Sequence, residues 1–123
     1  MKPWIIVALA LGLFVAAPAT AQVPKNPSVA TFTASADHAS ITKYVIGYFL
    51  PGASDPVTTA DLGKPTPDAS LVCTVTLNVM PLTFAANYTA KVKAVAGTAE
   101  SVWSEPSNPF DRVPGPPSKP VVK

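Results

Sequence analysis

From residue 28 onward the apolar positions fall in short runs of period two, not in helical stripes. Residues 71–79 (LVCTVTLNV) put Cys73, Val75, Leu77 and Val79 on one side and Val72, Thr74, Thr76 and Asn78 on the other. Residues 88–96 (YTAKVKAVA) alternate likewise, with Tyr88, Ala90, Val92 and Ala94 on one face and Thr89, Lys91 and Lys93 on the other. Such alternation predicts half-buried strands. Residues 28–34 (SVATFTA) and 41–50 (ITKYVIGYFL) are rich in β-branched and aromatic residues, and the second run closes on Pro51-Gly52. Residues 57–62 (VTTADL) form a weaker strand candidate. Residues 102–110 (VWSEPSNPF) read as extended, but Pro106 and Pro109 confine them to a sheet edge. No segment sustains a helical period for ten residues without a breaker. Short strands separated by polar or proline-bearing links (residues 35–40, 63–70 and 97–101) predict an all-β sandwich or barrel.

Two terminal segments break the alternation. Residues 1–21 carry a charged start, an apolar run from Trp4 to Ala17 and then Pro18-Ala19-Thr20-Ala21. That pattern is an export signal with cleavage expected after Ala21, since a spanning helix needs ~20 apolar residues and this run is shorter. The expected location is secreted or periplasmic, with no stable membrane insertion after cleavage. Residues 111–123 (DRVPGPPSKPVVK) read as a polyproline-type tail or linker. The expected organisation is a signal at 1–21, a lead-in at 22–27, one domain at 28–110 and the tail at 111–123.

Composition narrows the chemistry. The chain has 123 residues, enough for one domain, and most of its hydrophobic excess sits in the leader. The formal net charge is +2 and only 13% of residues are charged, so no nucleic-acid partner is expected. Fifteen prolines against six glycines argue against a helical protein. A single cysteine excludes an intrachain disulfide, and a single histidine excludes a histidine-rich metal cluster. No metal or cofactor is expected. Metalloprotease, nucleophile-elbow, dinucleotide and phosphate-loop patterns do not occur. His38 shares its loop with Asp37, Ser35 and Ser40, but a solvated loop explains them better than a catalytic triad. The chain is therefore expected to be no enzyme. Cys73, on an apolar strand face, reads as a buried, inert thiol.

Residues 82–94 (LTFAANYTAKVKA) resemble the corner and following strand of fibronectin type III domains, in which a leucine precedes a tyrosine by six positions. Residues 41–46 (ITKYVI) and 101–107 (SVWSEPS) resemble two further strands of that family, and Phe32 stands where many members carry a core tryptophan. The resemblance covers residues 28–110. It implies an immunoglobulin-like Greek-key β-sandwich of about seven strands, with the first strand weak or absent because residues 22–27 hold little apolar content. Tyr88 with Leu82 would form a structural tyrosine corner. Residues 113–122 (VPGPPSKPVV) resemble the lead-in to another such module, or else a strand lying along an open edge.

These readings lead to an exported, non-enzymatic binding or spacer module. The resemblance implies contact with a protein or a cell-surface glycan through loops at one end of the sandwich. Residues 35–40 and 97–101 are expected at that end, with Asp37, His38, Glu100 and Trp103 as candidate contacts. Trp103 serves equally as a packing residue. The alternative is an assembly subunit of an envelope, adhesin or virion-like array, pairing through an open sheet edge or the proline-rich tail.

Overall fold

The computed structural model describes residues 22–123, so the export signal read at residues 1–21 lies outside the described residues. The described chain is almost entirely β, with strands β1 (Val29–Thr33), β2 (Lys43–Phe49), β3 (Thr58–Gly63), β4 (Val72–Thr76), β5 (Ala85–Ala96), β6 (Ala99–Glu100) and β7 (Phe110–Arg112). One 3₁₀ turn, His38–Ser40, interrupts the loop before β2.

Two antiparallel layers result. The smaller pairs β1 with β4, and the larger runs β3-β2-β5-β6, with β7 also pairing β5. Residue alternation sets the registers. Ile46 lies opposite Val92 and Tyr48 opposite Ala90, so these inward residues share one face. They meet Val75 and Leu77 of the smaller layer in a core that also holds Val79, Leu82, Tyr88 and Phe110. This arrangement is consistent with a β-sandwich.

The lower end is closed by polar bonds as well as packing. Tyr88 is 0% exposed and its ring stacks on Phe110. Its hydroxyl donates to the Thr83 carbonyl at 2.8 Å, so the ring is buried without stranding its polar tip. Asn87 takes φ 63° at the turn into the strand. Below it lies Arg112, 6% exposed and without a carboxylate partner among the described residues. Its Nε donates to the Val79 carbonyl at 2.9 Å, Nη1 to the Val113 carbonyl at 2.7 Å and to Asn26 Oδ1 at 3.2 Å, and Nη2 to the Met80 carbonyl at 3.2 Å. A buried guanidinium is tolerable because carbonyl dipoles occupy its donors.

This corner moves the expected boundaries. Asp111 and Arg112 belong to β7, so the folded unit runs past residue 110. The lead-in joins it too. Asn26 N–H donates to the Asp111 carbonyl and Asp111 N–H to the Pro24 carbonyl, forming a parallel bridge at Lys25. A charged pair of residues followed by prolines resembles a linker in composition. Burial of the Arg112 guanidinium among carbonyls from distant segments is invisible to composition.

The expected edge strand at residues 102–110 is also corrected. Regular strand appears only at Ala99–Glu100 and Phe110–Arg112. The residues between are joined to β5 by serines, as described next.

Candidate functional site

Ser101, Ser104 and Ser107 recur every third residue along residues 101–109, called here the arm. Their backbone N–H groups donate to the carbonyls of Ala94, Val92 and Ala90. Their Oγ atoms accept from the N–H of those same three residues at 2.9, 3.0 and 2.9 Å. Each Oγ also donates to the carbonyl of the next residue. Three arm residues thus span two residues of β5, a compressed rise of about 2.2 Å per arm residue given the usual strand rise. A serine hydroxyl takes the place of a backbone carbonyl, and prolines are tolerated at 106 and 109 because their nitrogens are not needed. Strand edges are commonly blunted in this way, by proline and irregular pairing.

Trp103 fastens the arm across the outer face of the larger sheet. Its ring meets Phe49 edge-on with centroids 5.4 Å apart. It lies over Gly47, where an added Cβ would come 2.9 Å from Trp103 Cη2. Lys93 Nζ sits 4.8 Å from the indole centroid and 2.7 Å from Glu100 Oε1. Lys91 Nζ lies 4.6 Å from the Phe49 centroid. The two lysines, placed by the sequence on the face opposite Tyr88, lay their stems and charges over aromatic rings.

Across from the arm runs β1. Its register with β4, together with the bonds from Ala34 N–H to Leu71 O and from Leu77 N–H to Ser28 O, fixes which residues bond inward. Residues 28, 30, 32 and 34 bond to β4. In an antiparallel ladder the intervening residues then turn their N–H and C=O groups to the other side. Val29, Thr31 and Thr33 therefore present a bare edge, and their backbone groups have no partner among the described residues. Their side chains point outward, while Ala30 and Phe32 point inward and remain half-buried.

Between this edge and the arm lies an open seam. Its lower hollow, ≈350 Å³, is lined by Pro24, Pro27, Val29, Leu77, Asn108 and Phe110 among others. Its upper hollow, ≈470 Å³, lies between Phe32, Thr33 and Ser35 on one side and Ser101–Glu105 with Val92–Ala94 on the other. A third, ≈110 Å³, reaches down to Ile46, Val75 and Val92 between them. Apolar residues dominate the lining, and Glu105 and Lys93 are its charged members.

The four contacts read from sequence do not converge. Thr42 N–H donates to the Val95 carbonyl and Gly97 N–H donates to Thr42 Oγ1, so the loops around residues 35–41 and 97–98 share one end. There His38 stacks on Tyr44, whose hydroxyl accepts from Ser35 N–H and shares a hydrogen bond of 2.8 Å with His38 Nδ1. Asp37 N–H donates to Ser35 Oγ. Glu100 and Trp103 flank Lys93 on the outer sheet face instead. Sequence reasoning raised an open sheet edge as its alternative but missed the serine-pinned arm that faces it across the seam. Its signals were the serine spacing of three facing a strand of period two, and the absence of an apolar first strand. Among the described residues no group of three or more His, Cys, Asp or Glu side chains is placed to hold a metal ion. No described helix is long and apolar enough to cross a membrane. Comparison with protein-family models, curated proteins and solved structures finds no match.

Proposed function

We propose that this chain is an exported, non-enzymatic binding module with a fibronectin type III-like sandwich, whose contact surface is the open seam. The seam takes an extended polypeptide segment as an added strand beside β1. One observation carries this reading: the unpartnered N–H and C=O groups of Val29, Thr31 and Thr33, standing over a mostly apolar groove. Strand addition needs those two features together, main-chain bonds for affinity and pockets for alternate side chains. The loop end offers less. His38 is held by Tyr44 and Glu100 by Lys93, which leaves the Asp37 carboxylate as the one candidate side chain there without a partner among the described residues.

Selection of peptides from a displayed random library tests the proposal. Bound peptides should alternate apolar and polar residues, and they should slow amide exchange at Val29, Thr31 and Thr33. Peptides that instead perturb Asp37, His38 and the residue 97–98 tip would return the contact to the loop end. Selection of no binder from an ample library would count against a binding module.

A further inference from the structure

We infer that the occupant of the seam is residues 119–123 of a second copy of this chain, so that copies associate head to tail by strand addition. The inference rests on the reading of the seam as a strand acceptor. Two observations select the segment. Residues 114–123 make no hydrogen bond among the described residues and stand exposed, with Val121 and Val122 at 79% and 94%. Their alternation also fits the bare edge in one phase only, with the odd-numbered residues of the tail at the bonding positions. With Lys119, Val121 and Lys123 paired to Thr33, Thr31 and Val29, every bonding position of the tail has an N–H. Paired residues share a face, and those of β1 point outward. Both lysines then face water, while Pro120 and Val122 turn inward beside Phe32 and Ala30. Shifted by one residue, the same segment would offer Pro120, which has no N–H, at a bonding position and would bury the lysines. Glu105, at the mouth of the groove, has no ion-pair partner among the described residues.

Geometry favours a second copy over the chain's own tail. The arm descends along β5 from Ala94 toward Ala85, and the chain leaves past Arg112 at the lower end, below β1. Return to its own seam requires a reversal within residues 114–118. Pro114-Gly115 is the one turn candidate, yet Pro116 disfavours the ψ near 0° that such a turn needs at Gly115. Gly115 is not among the residues with positive φ. With prolines at 114, 116 and 117 the spacer runs on at ~3.1 Å per residue, about 16 Å for five residues. That reach carries residues 119–123 clear of their own body and into a neighbour. A contact between unlike surfaces repeats from copy to copy unless the ring closes, so the product is an open row.

The test is sedimentation of the chain from Gln22 to Lys123, from low micromolar to millimolar concentration. Association that grows with concentration and weakens about tenfold or more in Val122→Asp supports the inference. Val122 is exposed, so that variant leaves the folded body intact. Thr31→Pro, which removes one edge N–H, should give the same loss. Association that persists in Val122→Asp overturns the tail as occupant. A chain that stays monomeric throughout also overturns the second-copy inference, and a synthetic peptide of residues 116–123 then separates the two readings. If the peptide slows exchange at Val29, Thr31 and Thr33 of the Val122→Asp chain, the seam accepts strands but not from a neighbour. If it leaves those amides unchanged, the seam does not accept this segment, and the strand-acceptor reading loses its support as well.

Discussion

The two rims of the seam face each other and are built in opposite ways. The arm rim spends its backbone and hydroxyl groups on β5, carries prolines at 106 and 109, and is pinned from outside by Trp103. The β1 rim has three residues whose main-chain groups meet no partner among the described residues. Both border the same apolar floor. An edge that served only to terminate the fold would be expected to carry the arm's devices on both sides, because a bare edge invites pairing. The contrast assigns closure to one rim and contact to the other.

The contrast can be broken most severely at Trp103. Trp103→Ala should destabilise the chain by about 3 kcal/mol in denaturant unfolding, through lost packing on Phe49 and Gly47. Gly47→Ala attacks the same contact from below. Its Cβ would also meet Phe49 Cε1 at 3.1 Å and Pro56 Cβ at 3.2 Å, so a loss of about 1–3 kcal/mol is expected, with a shift in tryptophan fluorescence. Unchanged fluorescence would mean that the indole does not cover Gly47.

Smaller effects sharpen the picture. Ser104→Ala removes the acceptor for Val92 N–H and should cost about 1 kcal/mol, with faster exchange at that amide. Cys73 reports whether β1 stays on β4. It is buried opposite Phe32, and burial pushes its thiol up, the Asp68 carboxylate adding to the shift. The unfolded thiol therefore ionises first. Its contribution to stability is whole below the ordinary thiol range and declines as pH rises through the raised folded value. Alkylation of the native chain at mildly alkaline pH should follow global unfolding, and rapid labelling would show β1 and β4 parting locally. On the bare rim itself, Thr31→Lys points outward and should change stability by no more than about 0.5 kcal/mol.

Much of the fold was legible because period two is a strong signal. The alternation of residues 71–79 reappears as alternating burial through β4 and the residues just beyond it, whereas along β5 Tyr88 is buried but residues 89–94 are covered to similar degrees on both faces, because Phe49 and Trp103 shield the lysine side as well. The rest depended on groups that alternation does not encode. Serine reads as a polar loop residue, yet at Ser101, Ser104 and Ser107 it stands in for backbone. Trp103 and Gly47 are far apart in sequence, so the cleared space and the ring that fills it are seen together only in the folded chain. Arg112 lies in a proline-rich stretch whose composition suggests solvent, while carbonyls from Val79 and Met80 hold it inside. The seam was legible only as a missing strand.

Amide hydrogen exchange along β1 in dilute solution tests the central claim most directly. The account predicts fast exchange at Val29, Thr31 and Thr33, and protection at Ala30, Phe32 and Ala34 between them. Equal protection at all six positions would mean that both edges of β1 are paired, and the seam would not be a strand acceptor.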